Sequence, residues 1–218
     1  MIATLKKNQL FDLVINQLNY CFNDIKKIKK NEIRQSLNEA LDRTINCFSN
    51  INNSYYHDKI KKKIAFNHLN SDHLATFLYF LSNSCFKNKK HISICDKIYY
   101  LNKMLNSIDL YYEVNMPEIF LLVHPVGTVL GRAEYSNFLI VYQGVNVGSN
   151  KNFYPRFSKY VTLRPSATVL GKSYLQENSE MAAGSMIIDK NLKKNSIYFG
   201  NPKNFTIKKK KKVNSIWI

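Results

Sequence analysis

Six bulky apolar residues recur at intervals of six in the second half of the chain: Phe157, Leu163, Val169, Leu175, Met181 and Ile187. A small residue follows each of the four middle positions by four places, as Ala167, Ser173, Ser179 and Ser185. Neither the period of about 3.6 of a helix nor the period of two of a strand accounts for this pattern. It is typical of a parallel β-helix, in which three short strands close one triangular coil. We expect the bulky residues to point inward and the small residues to lie near the corners. The alternative is an ordinary antiparallel sandwich.

The same register is less regular outside this stretch. Val141 and Val147 are six apart, but the phase slips by about one residue between Leu130 and Val141. The polar run SNKNFYP (149–155) predicts a loop that leaves the coil. Beyond Ile187 the six-residue repeat, or hexad, is lost. GNPKN (200–204) predicts a turn.

The first half of the chain has a helical period instead. Four segments carry apolar residues at helical spacing, beginning with Leu10, Ile33, Leu74 and Ile94, and Asn31 and Ser71 are predicted to cap the second and third helices. The fold class is therefore α+β. We expect a helical domain over 1–108, a left-handed parallel β-helix over 109–205 and a basic tail over 206–218. The helical domain would cap one end of the β-helix, whose flat faces favour a homotrimer or a dimer of trimers.

Composition limits where the protein works. The 218 residues are 45% hydrophobic, and they contain no apolar run near the ~20 residues that a membrane span needs. The first residues lack the apolar centre of a signal peptide, so we expect a cytoplasmic protein. The four cysteines have no metal-ligand or C-x-x-C spacing, which predicts reduced core thiols and no metal site.

The net charge of +17 is large, and lysines cluster at 26–30, 61–63 and 208–212. This charge favours anionic partners, such as a phosphorylated cofactor or an acidic membrane face, at which the protein would be peripheral. No nucleic-acid recognition motif accompanies it, so nucleic acid is not an expected partner. A solvated surface rich in Lys and Asn explains the charge equally well.

One histidine lies where the β-helix begins. A neutral imidazole such as that of His124 can take a proton from a hydroxyl group, and it needs a partner that fixes its tautomer. Asp109 precedes His124 by fifteen residues. In a coil of about eighteen residues, this offset predicts that Asp109 lies almost directly one layer below His124.

Several short motifs together resemble a known family. HPVGTVLG (124–131), VYQGVNVG (141–148), YPRF (154–157), TVLG (168–171), MAAGSMII (181–188) and GNP (200–202) are similar to those of the serine acetyltransferase branch of the hexapeptide-repeat acyltransferases. The resemblance covers roughly 105–205, and the helical half more loosely. It implies an acetyl-CoA-dependent transferase in which Asp109 orients His124 and His124 deprotonates the acceptor.

The resemblance also implies where acetyl-CoA binds, in a groove between adjacent β-helices of a trimer. Backbone N–H groups in this groove would hold the thioester oxygen or the pantetheine, and tail lysines would meet the phosphates of CoA. The residues implied by motif position are Gly148, Ser149, Asn150, Ala183, Gly184, Lys203 and Lys208.

The chain departs from the family where the acceptor would bind. Val123 replaces an Asp that helps bind the amino group of serine, and Phe153 and Tyr154 replace an Arg-His pair that contacts its carboxylate. Aromatic residues suit a sugar ring, and the short loop at 149–154 would admit a larger acceptor. Loss of charged contacts costs a few kcal/mol of discrimination, enough to abandon serine.

The sequence therefore favours an acetyl-CoA-dependent O-acetyltransferase acting on a sugar hydroxyl of a capsular or other surface polysaccharide. Two alternatives remain. One is a serine O-acetyltransferase of cysteine biosynthesis, and the other is a non-catalytic β-helix scaffold anchored by its lysine-rich tail.

Overall fold

The computed structural model describes residues 2–23, 26–58 and 63–218, so that Lys61 and Lys62 of the predicted lysine clusters lie outside the described residues. The first half contains helices α1 (Lys7–Cys21), α2 (Arg34–Ser49), α3 (Ser71–Lys87) and α4 (Ile92–Asn106), with a 3₁₀ turn at Lys30–Glu32. A small sheet, absent from our expectations, pairs β1 (Ile2–Ala3), β3 (Lys63–Phe66) and β2 (His57–Asp58) in that order. The predicted helical half is confirmed.

Helix α3 forms the centre of this half. Its residues from His73 to Cys85 are all buried, because α3 packs against α2, α4 and the first strand of the β-helix. It is therefore a core helix rather than the amphipathic one predicted, since it is covered on every side.

Both predicted helix caps are wrong. The N-cap of α3 is Asn70, whose side chain accepts a hydrogen bond from the Asp72 N–H, and Ser71 is the first helical residue. Asn31 lies in the 3₁₀ turn, and its side chain accepts hydrogen bonds from Arg34 instead of capping α2. The cysteines are free thiols, as predicted, but Cys21 is exposed rather than in the core.

The second half is a parallel β-helix with three faces. The first face contains β4 (Phe120–Val123), β6 (Leu139–Tyr142), β9 (Thr162–Leu163), β12 (Glu180–Met181) and β14 (Ser196–Gly200). The second contains β5 (Val129–Leu130), β7 (Asn146–Gly148), β10 (Thr168–Leu170) and β13 (Met186–Ile188). The third contains β8 (Arg156–Phe157) and β11 (Tyr174–Leu175), extended by single bridges at Glu134 and Leu192. Strands paired in parallel across successive coils confirm the predicted architecture.

The hexad residues fill the interior. All six bulky residues are at most 2% exposed, and the four small residues at the corners are also buried. The sequence predicted that the pattern ends at Ile187, but in the structure it continues beyond this residue. Leu192 and Tyr198 are fully buried above Leu175 and Met181, so that the coil continues with one hexad shortened to five residues.

The loop predicted at 149–155 does leave the coil. Asn146 pairs with Thr168, 22 residues later, whereas Thr168 pairs with Met186, 18 residues later. The extra residues form a tight hairpin turn in which Lys151 and Asn152 both have positive φ, as the turns that match strand twist require.

The C-terminal residues return along the protein instead of extending from it. Strand β15 (Phe205–Lys209) pairs antiparallel with β14 through the turn predicted at 200–204. The chain then reaches the helical half, where Trp217 forms a bridge with Ile51 and its ring packs 5.5 Å from that of Phe138.

The helical half holds the start of the β-helix firmly. The ring of Phe120 in β4 packs edge-on against Phe80 and Tyr79 of α3, at 5.5 and 6.1 Å between centroids. Arg43 of α2 donates to both carboxylate oxygens of Glu118, at 3.0 and 3.1 Å. The first strand therefore has a fixed position relative to α3, which matters for the residue that follows it.

Candidate active site at the first corner of the β-helix

His124 directly follows β4, at the corner where the chain turns from the first face to the second. Its side chain is exposed. Because β4 pairs with β6 in parallel register, Gln143 lies above His124 in the next coil. The register continues upward to Pro165 and Ala183. His124 thus lies at the lower end of an edge that runs the length of the β-helix.

The backbone of His124 is in the left-handed region, with φ of +49°. Gln143, Pro165 and Ala183, which occupy the same column, do not share this conformation. A left-handed conformation costs a residue with a side chain about 1–2 kcal/mol, so surrounding contacts must hold it.

A carboxylate from the helical half contacts the backbone at this point. The His124 N–H donates to Asp72 Oδ1 at 2.9 Å, and Asp72 lies in the first turn of α3. Burial raises the pKa of the Asp72 carboxyl, while this hydrogen bond and the charge of His124 act against the rise. Asp72 could not be identified from the sequence, because no motif or spacing links it to a residue 52 positions later in the other half of the chain.

Asp109 does not lie where the fifteen-residue offset predicted. Its backbone forms a parallel bridge with Val129, on the second face, so that it lies below Val129 rather than below His124. Its carboxylate accepts hydrogen bonds from Tyr99 at 2.7 Å and from Lys103 at 2.6 Å. Burial alone would raise the pKa of Asp109, but these two donors lower it. The offset misled because fifteen residues fall short of a full coil: Asp109 pairs with Val129, twenty positions later.

Gln143 adds an amide group beside His124. Its Oε1 is buried and, in the part of the chain that the structure describes, has no hydrogen-bond partner. An unsatisfied buried acceptor is unusual and calls for an explanation. Gln143 lies inside the VYQGVNVG motif, so that its position one coil above His124 was within reach of the sequence.

Ala183 and Gly184 lie on the same edge as His124, three coils higher. Both are exposed, and Gly184 has φ of +67° with open space where a Cβ would stand. Lys203 is exposed on the turn that follows Gly200, at the top of this edge. The structure therefore places three of the predicted CoA residues in line with His124.

Gly148, Ser149 and Asn150 lie at a different corner, where the second face ends. The Asn150 side chain donates to Asp189 at 2.6 Å, and Asp189 also accepts the Lys172 N–H at 2.7 Å. This carboxylate ties the loop to two higher coils. Within one chain, these residues are separated from His124 by a whole face.

The predicted acceptor residues are also divided between the two corners. Val123 is the last residue of β4, next to His124, and is half-buried. Phe153 and Tyr154 are exposed on the hairpin loop, where they line a cleft of about 410 Å³ together with Arg132 and Arg156.

The lysines of the C-terminal segment differ in environment. Lys208 is exposed in β15, with its ammonium group 5.2 Å from the centre of the Phe199 ring. Lys210 is buried and lies 3.0 Å from the Glu180 carboxylate, which also accepts from Arg164 at 2.6 Å. Lys208 is thus available to an anion, whereas Lys210 is already paired.

Among the described residues, no group of three or more His, Cys, Asp or Glu side chains is placed to hold a metal ion. No helix in that part of the chain combines the length and apolar character needed to span a bilayer.

No protein-family model matches the chain, and no curated protein matches its sequence. Solved structures do match its fold. The serine acetyltransferase from Brucella abortus strain S19 has a TM-score of 0.72 at 15% identity, with 95% of this chain and 85% of that chain covered. The serine acetyltransferase from Vibrio cholerae O1 biovar El Tor N16961 has a TM-score of 0.70 at 14% identity, with 94% and 80% covered.

A Brucella abortus structure in complex with coenzyme A has a TM-score of 0.68 at 14% identity, with 97% of this chain and 85% of that chain covered. The matches include the helical half as well as the β-helix, since they cover more than nine-tenths of this chain. The chain therefore has the fold of the serine acetyltransferases over almost its whole length.

Proposed function

We propose that the protein is an acetyl-CoA-dependent O-acetyltransferase in which His124 is the general base. The single observation that carries the proposal is the position of His124. It is an exposed imidazole at the corner where the helical half meets a β-helix of the serine acetyltransferase fold. His124 would take the proton of the acceptor hydroxyl as its oxygen attacks the thioester carbonyl. As the C–S bond breaks, His124 would return that proton to the departing thiolate.

The proposed cofactor groove requires more than one copy of the chain. Ala183 and Gly184 lie on the edge of His124, whereas Gly148, Ser149 and Asn150 lie at another corner. A single groove contains both sets only where two copies lie side by side, each giving one edge. This supports a homotrimer, and stacking of two trimers through their helical halves remains part of the proposal. Lys203 and Lys208, both exposed, are the proposed contacts for the phosphates of CoA.

The acceptor we now favour is a small hydroxylated amino acid, with serine first. The similar solved structures described above are serine acetyltransferases, and this fits the alternative from the sequence better than a capsular sugar does. The missing carboxylate at Val123 was one of two arguments against serine, beside the aromatic pair Phe153 and Tyr154. Asp72 supplies a carboxylate next to the same histidine, from the helical half.

A sugar hydroxyl is the second candidate. Phe153 and Tyr154 are exposed beside a cleft of about 410 Å³, and aromatic rings suit the apolar face of a sugar. In a trimer, this corner would lie next to His124 of a neighbouring copy. An acceptor from surface polysaccharide synthesis would then be used in the cytoplasm or at the inner membrane face. The basic surface of the protein would attract it to that acidic face.

The test is an assay of free thiol release from acetyl-CoA with purified protein and a panel of acceptors. L-serine should give thiol release, and acetylated serine should appear by mass spectrometry. The His124→Ala variant should lose at least about 100-fold in rate, as removal of a general base typically does. A His124→Ala variant with the wild-type rate would refute the proposed mechanism, and activity on sugars alone would move the acceptor to the second candidate.

A non-catalytic scaffold is tested in the same preparation. A scaffold without a cofactor groove should show no change in melting temperature when acetyl-CoA is added. Binding at 100 times Kd raises the free energy of unfolding by about 2.7 kcal/mol, which is readily measured. Adding EDTA should leave the rate unchanged, because the proposal gives no role to a metal ion.

A further inference from the structure

The backbone of His124 departs from the path that its column follows in the higher coils. His124 has φ of +49°, whereas Gln143, Pro165 and Ala183 do not adopt positive φ. At the same point, the His124 N–H points out of the β-helix to Asp72 Oδ1, 2.9 Å away. The unusual conformation and the hydrogen bond to the helical half therefore occur together.

Asp72 is held in place by contacts that do not involve His124. Its N–H donates to the Asn70 side chain at 2.9 Å, and its backbone carbonyl accepts from Thr76 Oγ at 2.8 Å within α3. Helix α3 is in turn packed on β4 through Phe80 and Phe120. The backbone of Asp72 is thus fixed within α3, which presents its carboxylate to the corner of the β-helix.

The other carboxylate proposed for this role is already engaged. Asp109 accepts from Tyr99 and Lys103, and its backbone pairs with Val129 on the next face. The carboxylate that contacts His124 comes from the helical half instead.

We propose that Asp72 is a positioning residue for His124, an inference that rests on the proposed acetyltransferase function. By accepting the backbone N–H, the carboxylate holds the left-handed conformation of His124 and so sets the direction in which the imidazole leaves the corner. A general base must lie within hydrogen-bond reach of the proton that it takes, so a rotated corner slows proton transfer without removing the base. The helical half thereby becomes part of the active site.

The test compares Asp72→Ala with Asp72→Asn, with L-serine and acetyl-CoA as substrates. The alanine variant loses the acceptor, and we expect kcat to fall about 10–100-fold with the KM for acetyl-CoA within about two-fold of wild type. The asparagine variant keeps an oxygen that accepts the N–H, and we expect it to recover kcat to within about five-fold of wild type.

A matched control separates positioning from helix stability. His91 is the N-cap of α4, in the same helical half, and its side chain accepts a hydrogen bond from the Ser93 N–H. His91→Ala removes this cap. It should lower the melting temperature and leave kcat per folded molecule unchanged. If Asp72→Ala behaves like this control, Asp72 is only structural and the proposal is overturned. A larger loss of kcat in Asp109→Asn than in Asp72→Ala would also overturn it.

Hydrogen exchange separates a failure of this inference from a failure of the proposed function. The His124 amide should be protected in the wild-type protein and exchange at least about ten-fold faster in Asp72→Ala, because a hydrogen-bonded amide exchanges only on opening. If the wild-type protein transfers no acetyl group, the proposed function fails. The exchange rate of the His124 amide still shows whether Asp72 holds His124. Equal exchange in both proteins refutes the contact itself.

Discussion

The ammonium group of Lys210 lies 3.0 Å from a carboxylate oxygen of Glu180, and the side chains of both residues are about nine-tenths buried. The pair joins the C-terminal segment to the first face of the β-helix. Arg164 completes it, donating to the other oxygen of Glu180 at 2.6 Å. Two cations thus surround one buried carboxylate. Among the ion pairs that the structure describes, this cluster is the least exposed.

Removal of the Glu180 charge should destabilise the protein strongly. Glu180→Gln leaves Lys210 buried without a counter-charge, and breaking a buried pair from one side costs about 3–5 kcal/mol. The measurement is chemical denaturation followed by circular dichroism. Glu134→Gln is the matched control, because Glu134 and Arg156 form an exposed pair, for which a loss below about 1 kcal/mol is expected. Equal losses in the two variants would contradict the role assigned to the buried cluster.

The same cluster should make the protein sensitive to acid. Burial alone would raise the pKa of Glu180, but the hydrogen bonds from Arg164 and Lys210 lower it below its ordinary value of 4.5. A lowered pKa in the folded protein contributes stability that is present above the unfolded value and is lost as the pH falls through the folded value. The wild-type free energy of unfolding should therefore fall below about pH 4.5 more steeply than that of Glu180→Gln. Parallel pH profiles would argue against this contribution.

The C-terminal segment should stabilise the whole fold. Trp217, the single tryptophan, packs against Phe138 and bridges to Ile51, so Trp217→Ala should cost about 1–3 kcal/mol. Val213→Ala is the control, because Val213 is about half exposed. A melting temperature unaffected by Trp217→Ala would mean that the segment is not docked in solution.

Substitutions in the hexad should distinguish interior from surface. Leu175 is fully buried in the prism, and Leu175→Ala should cost about 2–5 kcal/mol through the cavity that it leaves. Met186 lies on a strand of the second face and is 37% exposed, so Met186→Ala should cost well under half as much. Thermal unfolding of both variants checks this. A larger loss of stability in Met186→Ala than in Leu175→Ala would mean that the register of the β-helix is shifted by one residue.

Two glycines with nearly the same backbone conformation should respond differently to a methyl group. Gly171 and Gly184 have φ of +66° and +67°, so alanine is strained at both by about 1–2 kcal/mol. At Gly171 the new Cβ also collides with Asp189 and Asn150, whereas at Gly184 it enters open space. Gly171→Ala should therefore be the less stable variant. Gly184→Ala should instead weaken acetyl-CoA binding, measured by calorimetry, if the proposed groove is correct.

The repeat of six residues determined the β-helix on its own. Bulky side chains at this spacing can all be buried only in a narrow prism, so the strands, the corners and the loop at 149–155 could be predicted with little else. The helical half was equally accessible, because its period is local. The cap predictions failed by short distances: Asn70, one residue before Ser71, caps α3, and Asn31 lies in the 3₁₀ turn before α2.

The end of the pattern was harder to predict. A hexad shortened to five residues between Ile187 and Leu192 broke the count, although the coil continued and buried Tyr198. From its composition, the lysine-rich tail was expected to be solvated. Its course depends on one buried carboxylate, Glu180, that lies 30 residues earlier, and no local pattern marks such a pair.

The sequence by itself determined the architecture and placed His124 at the start of the β-helix, because periodic burial is a property of neighbouring residues. Only the tertiary structure decided which carboxylate meets that histidine. A full coil of twenty residues separates Asp109 from its partner Val129, whereas packing of α3 on β4 brought Asp72 to the His124 N–H. A contact between the backbone of one half and a side chain of the other depends on how whole elements pack, and spacing along the chain carries no information about it.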